Sequence, residues 1–375
     1  MSRTPLRPLP ALLLAAALGL LVAACGDDDG GGSSSAPQQS APTNEADVNG
    51  AIDPAKVKTK TMRVAVDNPH YLFQVDSLVA LDKGYAKEYG IETIENTVTD
   101  EVISALIGGS VDIVLFDSDS IMNAAKQSST DLRVIGMYIQ QEANVLAVRK
   151  GINTVEDLKG SNFKIAVSGQ GTRSYEKMVQ MLQENGIDPE NDVQLVDTGG
   201  QSNERLQQII NGTVDGGSVQ LRHETILKEE AGGKFLIKET PDFPQLAWGT
   251  TGEFMDENPD TVAAFLAATI KARQDIVNQD NKDYVLKLMD NPEYDFELPQ
   301  SFKDAYGNEN SAEYRGADGG FETARMDALI KEQIEFEVLP ADLDWHEYTD
   351  LSALWTAQKN LGLDLRPAPE EVGGE

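Results

Sequence analysis

Apolar and polar positions follow two alternating patterns along the chain from Thr61 onward. Short runs rich in β-branched residues, of which 61–67 is the first, are separated by stretches whose apolar residues recur at helical spacing. This order of strands and amphipathic helices is typical of α/β proteins with mostly parallel strands. The apolar run 111–116, interrupted only by Asp112, predicts a strand covered on both faces, and such a strand belongs in the centre of a sheet.

The same plan begins a second time after Val155. A strand, a Gly-rich loop and a helix predicted over 172–185 follow it, and VDGGSVQ at 214–220 repeats the earlier glycine pattern. The chain is longer than one hydrophobic core usually serves, so we expect two lobes, with crossovers near Val148 and Leu246. The predicted parts are, in order, the first lobe at 59–150, the second lobe at 151–245, a return to the first lobe with C-terminal helices at 246–366, and a disordered tail at 367–375.

The N-terminal residues predict export and a lipid anchor. Arg3 and Arg7 precede an apolar run that ends at Ala24. The run is shorter than the roughly 20 residues that a spanning helix needs, so residues 1–24 are predicted to be a signal peptide. The sequence LVAAC resembles the lipobox of bacterial lipoproteins, which implies that Cys25 is diacylated and becomes the mature N-terminus. An ordinary secreted protein with an unmodified cysteine is the alternative.

Residues 25–58 are predicted to be a flexible tether. Most of this segment is rich in Gly, Ser, Pro and Asp and nearly free of large apolar residues, so it cannot bury enough surface to fold. Cys25 is the only cysteine of the chain, and the folded part therefore has neither a disulfide nor a cysteine nucleophile.

Charge and residue composition argue against several other functional classes. The chain has 62 acidic and 31 basic residues, a net charge of −31, which excludes nucleic acid as a partner. His70 and His223 are predicted in opposing lobes, but His346 is distant in sequence, so we expect neither a metal site nor a cofactor. We find no paired Ser and His on the predicted loops and expect no enzyme activity. We expect a monomer.

Several segments, in their order and spacing, resemble one family. They are GYAKEYGIET, ALIGGSVDIVLFDSDS, VEDLKGSNFKIAVSGQGTRSY, INGTVDGGSV, ENPDTVAAFLAATIKA and DLSALWTAQKNLGL. Together they are similar to type II periplasmic substrate-binding proteins of ABC importers, in the branch that includes thiamine-precursor, sulfonate, taurine and nitrate binders. The resemblance implies two α/β lobes joined by a two-stranded hinge, with the ligand in the cleft between them. The chain departs from the family at Gln220–His223, where a proline is common, and its loop DNPHYLF is not the pattern of the sulfonate binders.

Ligands of α/β sheets bind at the carboxyl ends of strands, where loops and helix N-termini converge. The candidates for ligand binding are Asn68, His70, Tyr71, Asp117, Ser118, Ser168, Gly169, Gln170, Gly171, Thr172, Arg173, Gln220, Arg222 and Trp248.

Each of these groups has a structural alternative. The glycines of SGQGTRS allow backbone donors at a helix N-terminus to reach an anion, and Arg173 could add a two-pronged contact. The alternative is a capped turn with Arg173 in solvent. Asp117 and Asp119 could bind a cation or a ligand amine, or could cap a helix. Trp248 could form a cleft wall or pack in the hinge.

The sequence therefore predicts an extracytoplasmic, lipid-anchored solute-binding protein of the cell membrane. Its expected ligand is a small organic anion of sulfonate or carboxylate type, delivered to an ABC permease and its ATPase. The alternatives are a binding protein for a neutral heterocycle of pyrimidine type and a ligand-sensing surface lipoprotein without an importer. In each case we expect an open and a closed form, with ligand stabilising the closed one.

Overall fold

The structure is a computed structural model that describes residues 44–67, 71–128, 130–199, 201–239, 243–294, 296, 303 and 306–373. Asn68, His70, Cys25 and the predicted signal peptide lie outside the described residues. The strands are β1 (Thr61–Val66), β2 (Thr93–Val98), β3 (Ile113–Asp117), β4 (Leu132–Met137), β5 (Val145–Val148), β6 (Phe163–Val167), β7 (Val193–Asp197), β8 (Gly216–Val219), β9 (Lys234–Lys238) and β10 (Leu246–Thr251).

Helices alternate with these strands and continue to the C-terminus. The α-helices are α1 (Val75–Asp82), α2 (Tyr85–Glu88), α3 (Val102–Ile107), α4 (Ser118–Ser128), α5 (Arg173–Glu184), α6 (Ser202–Ile210), α7 (Glu224–Ala231), α8 (Gly252–Glu257), α9 (Pro259–Val277), α10 (Lys282–Met289), α11 (Tyr306–Glu309), α12 (Ala312–Arg315), α13 (Thr323–Glu335), α14 (Ser352–Asn360) and α15 (Pro369–Val372). Short 3₁₀ helices lie at Glu45–Asp47, Tyr71–Phe73, Val155–Leu158, Leu221–His223, Gln279–Asn281, Pro292–Tyr294 and Trp345–Tyr348. Within the described ranges, no helix is both long and apolar enough to cross a membrane.

The strands form two sheets of the same design. The first has the order β2-β1-β3-β10-β4, and the second has the order β7-β6-β8-β5-β9. In each sheet three neighbouring strands pair in parallel. The fourth strand in the order, β10 in the first sheet and β5 in the second, pairs antiparallel with the strand on either side of it. β3 is the central strand of the first sheet, as its unbroken apolar run predicts, and its first three residues are buried. We call the two halves built on these sheets the first and second lobes.

Two neighbouring segments connect the lobes. Residues 138–144 lead from β4 to β5, and the described residues 239 and 243–245 belong to the return from β9 to β10. They run antiparallel: Tyr138 N donates to Leu246 O over 2.7 Å, and Glu142 N donates to Phe243 O over 3.0 Å. The outward crossover therefore comes before the position near Val148 that the sequence predicts, because β5 already pairs with β8 and β9 of the second sheet. We call these two segments the hinge.

Three local expectations differ from the structure. The apolar spacing of residues 75–89 predicts one helix, but Gly84, whose φ is 76°, separates α1 from α2. The predicted tether does not extend to Lys58, since Val48 and Val57 are buried. The predicted disordered tail contains the helix α15, and Trp355 Nε1 donates to the carbonyl of Pro367 over 2.7 Å. On the N-terminal side, Asn360 Nδ2 in α14 donates to Gly50 O over 2.9 Å and Lys58 N donates to Thr261 Oγ1 in α9 over 3.2 Å, so these helices hold the end of the predicted tether.

A buried ionic network joins three elements of the first lobe. Asp76 in α1 accepts hydrogen bonds from Arg273 Nε at 2.8 Å and from Arg315 Nη1 at 3.1 Å, and the three side chains are fully buried. Arg273 Nη1 also donates to Met137 O over 2.8 Å, and Arg315 Nη2 donates to Leu72 O over 2.7 Å. The network therefore fixes the end of β4, directly before the hinge, to α1, α9 and α12.

We predict that Arg273→Met lowers the free energy of unfolding by about 3–5 kcal/mol, because it leaves Asp76 with an incomplete set of buried partners. The control is Lys271→Met on the same helix, whose ion pair with Glu88 is largely exposed and whose loss should cost under about 1 kcal/mol. Urea denaturation followed by circular dichroism measures both. Equal losses for the two variants would contradict the role of the network.

Candidate functional site

A cavity of about 410 Å³ lies between the lobes and against the hinge. This volume falls within the usual range for small-molecule sites. Residues from both lobes and from both hinge segments line it. The lining residues are Asp117, Asp119, Ser120, Glu142, Ala143, Asn144, Ser168, Gly171, Thr172, Arg173, Ser174, Gly199, Gln201, Ser202, Arg205, Ser218, Val219, Gln220, Phe243, Pro244, Gln245, Leu329 and Val338.

The first lobe contributes carboxylates to the cavity. Asp117 is the last residue of the central strand β3, and Asp119 lies in the first turn of α4. Asp119 Oδ1 accepts a hydrogen bond from Ser120 N at 2.9 Å. Asp117 Oδ1 is shielded from solvent and has no hydrogen-bond partner in the described part of the chain. The end of the central strand of the first sheet thus places a polar atom without a described partner beside the cavity.

Burial shifts the titration of these carboxyl groups. Burial, followed by the charges of Asp119 and Asp67, raises the pKa of Asp117 well above its usual value, while Arg173 and Arg222 oppose the rise. Burial also raises the pKa of Asp119, against the opposing charge of Arg173. A raised pKa means that the charged form is destabilised in this environment.

Glu142, on the outward hinge segment, is the third carboxyl group of the cavity. Burial raises its pKa, and the nearby charge of Arg222 opposes the rise. It differs from the aspartates in having several partners. Its oxygens accept hydrogen bonds from Tyr314 OH at 2.8 Å and from Ala143 N at 3.0 Å, and Arg222 Nη1 lies 4.0 Å away. Both carboxylate oxygens of Glu142 therefore already have hydrogen-bond donors within the protein.

The loop SGQGTRS caps helix α5. Thr172 is the N-cap residue: its Oγ1 accepts from Tyr175 N at 3.4 Å and donates to Gly169 O over 2.7 Å. Gly171, with a φ of +81°, donates its N–H to Glu176 Oε1 over 3.1 Å. The capped turn considered as an alternative from the sequence is therefore present, and it places Gly171, Thr172 and Ser174 on the cavity wall.

Arg173 faces the cavity, not solvent. Its Nη1 donates to Asn144 Oδ1 over 3.2 Å, and its Nη2 donates to Glu332 Oε2 over 3.1 Å. The guanidinium group lies over the ring of Phe243, 3.6 Å from the centroid. Arg173 thus touches both hinge segments and α13, and its charge is already paired.

Arg205 is a second buried cation at the cavity, and sequence reasoning missed it. Its Nε donates to Ser218 O over 2.6 Å and its Nη1 to Ser168 Oγ over 3.0 Å. Burial lowers the pKa of Arg205 to about 10. The available signal was its position on the buried face of α6 beside Leu206 and Ile209, where a charged residue is unusual.

Some predicted site residues do not line the cavity. Tyr71 is fully buried in a 3₁₀ helix, and Trp248 lies in β10 with its ring edge-on to Tyr138 and Phe265. Arg222 is buried behind the wall, where its Nη2 donates to Ser202 Oγ over 3.3 Å. Ser118, Gly169 and Gln170 also lie outside the lining set. Trp248 therefore fits the hinge-packing alternative.

Other predicted residues do meet at the cavity. Asp117, Ser168, Gly171, Thr172, Arg173 and Gln220 line it, from both lobes. The sequence analysis missed the hinge residues and the two apolar positions Leu329 and Val338, which come from α13 and the segment after it. No group of three or more His, Cys, Asp or Glu in the described residues could hold a metal ion.

An ionic cluster joins the lobes at the edge of the cavity. Glu332 in α13 binds Arg173 and Lys177, both in α5, and Lys177 Nζ also lies 3.1 Å from Glu239 Oε1 on the return hinge segment. We call these residues the Glu332 cluster. Because α13 belongs to the first lobe and α5 to the second, these pairs require the lobes to be close together.

Two lobes, a two-segment hinge and a polar cavity between them are the features of the periplasmic-binding-protein fold. The sequence model described as NMT1/THI5 like matches residues 75–282, and the chain belongs to this family. No curated protein sequence matches the chain.

Solved structures are similar to this one in fold. The periplasmic nitrate-binding protein NrtA from Synechocystis PCC 6803 is 14% identical, with a TM-score of 0.68 over 83% of this chain and 92% of that one. A putative sulfonate-binding protein SsuA from Methylobacillus flagellatus KT is 19% identical, with a TM-score of 0.61 over 82% and 96%. The alkanesulfonate-binding protein SsuA from Xanthomonas axonopodis pv. citri, bound to MOPS, is 14% identical, with a TM-score of 0.58 over 77% and 98%. The fold class predicted from the sequence is confirmed.

We predict that Glu332→Gln opens the ligand-free protein, because it removes the charge that holds Arg173 and Lys177 to the first lobe. Each ~1.4 kcal/mol lost lowers the ratio of closed to open protein about tenfold. Small-angle scattering should report a larger radius of gyration. Glu335→Gln on the same helix, which has only an exposed contact with Lys331, is the control and should leave the radius unchanged. An unchanged radius in Glu332→Gln would contradict a closing role for the cluster.

Proposed function

We propose that this chain is the extracytoplasmic solute-binding subunit of an ABC importer. It captures a small polar solute between its lobes and delivers it to a permease that works with an ATPase. The observation that carries the proposal is the cavity of about 410 Å³, whose walls come from both lobes and the hinge. A ligand that contacts both walls stabilises the closed arrangement, which is the form that a permease can recognise. The family match supports the same proposal, and so does the similarity in fold to solved structures of nitrate- and sulfonate-binding proteins.

We propose a lipid anchor on the outer face of the cell membrane. The support is the sequence alone: a short apolar run follows Arg3 and Arg7 and ends in LVAAC at Cys25. The protein is then a monomeric binding protein held near its permease by the lipid. A ligand-sensing lipoprotein without an importer would share the anchor and the cavity, and would differ in having no permease partner.

Two ligand classes follow from the sequence. The first is an organic anion with a sulfonate or carboxylate group, which would use the donors of Thr172, Ser174 and Arg173. The second is a neutral heterocycle of pyrimidine type. One specific observation favours the second class: the carboxyl groups of Asp117 and Asp119 border the cavity, whereas Arg173 is already paired with Glu332.

The proposed role is binding and not catalysis. Among the described residues, the cavity wall carries hydroxyl groups from Ser120, Ser168 and Ser202, but histidine is not among its lining residues. A serine nucleophile needs a base within hydrogen-bond reach. Turnover of a bound compound, followed by mass spectrometry, would overturn this part of the proposal.

We predict that the protein's ligand raises its melting temperature, since a compound at 100 times its Kd stabilises the folded state by about 2.7 kcal/mol. A thermal-shift screen of sulfonates, carboxylates, nitrate, pyrimidines and amines identifies the ligand class. Ser120→Trp, which fills the cavity from α4, should abolish the shift, and Ser128→Trp at the exposed end of the same helix should retain it. A shift that survives Ser120→Trp would place binding outside the cavity.

We predict that Cys25→Ser releases the exported protein from the membrane, because it removes the thiol that carries the lipid. Metabolic labelling with a fatty acid and fractionation of cells measure the change. The control is Ser33→Ala, which lies in the same segment and leaves Cys25 intact. Membrane retention of Cys25→Ser at the level of the control would contradict the lipid anchor.

A further inference from the structure

The charged groups at the cavity are unequally paired. Among the cations, Arg173 contacts Glu332 and Asn144, and Arg205 donates to Ser218 O and Ser168 Oγ. Arg222 lies behind the wall, near Glu142. Each of these guanidinium groups therefore already contacts an acceptor that the protein supplies, although Arg173 Nε, Arg222 Nε and Arg222 Nη1 have no hydrogen-bond partner in the described part of the chain.

The two aspartates of the first lobe differ from these cations. Within the described ranges, neither Asp117 nor Asp119 belongs to an ion pair, and Asp117 Oδ1 has no hydrogen-bond partner although solvent cannot reach it. Asp119 accepts only from Ser120 N among the hydrogen bonds that the structure describes for its carboxylate. Burial and mutual repulsion raise the pKa of Asp117, so the protein bears an electrostatic cost at this position.

A buried polar atom without a partner is costly, and such groups persist where a ligand completes them. The missing partner must donate hydrogen bonds and should carry positive charge. A metal ion does not fit, since no group of three or more potential ligands exists among the described residues. A protonated nitrogen fits, because its N–H groups can donate to both carboxylates at once.

We propose that Asp117 and Asp119 bind a protonated nitrogen of the ligand, so that the solute is a small, positively charged nitrogen base. This inference rests on the proposed function and names the chemical class of its solute. The ligand's opposite side meets the second lobe, where Thr172, Ser174 and Gln220 offer hydroxyl and amide groups. These groups accept or donate hydrogen bonds without requiring a ligand charge. The first lobe thus selects charge, and the second lobe contacts the rest of the molecule.

The first test uses the full-length protein in detergent and an equimolar mixture of small cations, neutral compounds and anions. Benzamidine, benzamide and benzoate are included because they differ in charge but hardly in shape. Rapid desalting followed by mass spectrometry identifies the retained compounds. We expect cations to be retained at least about tenfold better than anions, the effect of one charge-assisted hydrogen bond. Preferential retention of anions or neutral compounds would overturn this inference and leave the importer proposal standing; retention of no compound would overturn both.

The second test separates a binding role from a structural one. Asp117→Asn/Asp119→Asn should lose the preference for cations by about tenfold or more, and should raise the melting temperature of the ligand-free protein by about 2–4 °C, since it removes a buried repulsion. Asp283→Asn/Asp364→Asn makes the same charge change at exposed positions and should alter neither quantity. A lower melting temperature with unchanged selectivity in the cavity variant would assign the aspartates to the fold and overturn the inference.

Discussion

Asp76 holds two guanidinium groups in the interior of the first lobe, and the position of the hinge depends on this contact. Arg273 reaches from Asp76 to the carbonyl of Met137, the last residue of β4, and Arg315 reaches to the carbonyl of Leu72. Tyr138, the first hinge residue, donates to the same Leu72 carbonyl. A buried charge cluster is costly to form, but once formed it allows few alternative arrangements. The buried network of the first lobe therefore fixes the position at which the hinge begins.

The cavity combines a rigidly packed frame with carboxyl groups whose charged forms are unfavourable. Apolar packing of Trp248 between Tyr138 and Phe265 supports the frame from β10. Against it, Asp117 and Asp119 place carboxyl groups where burial disfavours their charge. Binding sites commonly carry such unfavourable groups, and the stable remainder of the fold compensates for them. The stability of the first lobe therefore offsets the free-energy cost of the buried carboxyl groups in its cavity wall.

Sequence patterns predicted the order of strands and helices well, because each buried strand and amphipathic helix has a local signature. β1 ends one residue before the end of the strand predicted over 61–67, and α5 is one residue shorter at each end than the helix predicted over 172–185. The cavity was harder to predict. Asp117 and Arg173 follow strand ends and could be found, whereas Glu142 and Phe243 lie in hinge segments that resemble strand continuations in sequence. Leu329 meets them only through tertiary packing, and Trp248 faces the core because β10 lies between β3 and β4.

The hinge segments are also the floor of the cavity. Glu142, Asn144, Phe243 and Gln245 line the space, and the backbone of the same residues carries the chain between lobes. A substitution there changes the surface that a solute meets and the torsional freedom of the pivot together. During divergence of such proteins, selectivity altered through the floor would bring a change in opening rate with it, whereas selectivity altered at lobe-wall positions outside the Glu332 cluster would leave the opening motion unchanged. Those positions are thus the part of this architecture that can change without altering the hinge.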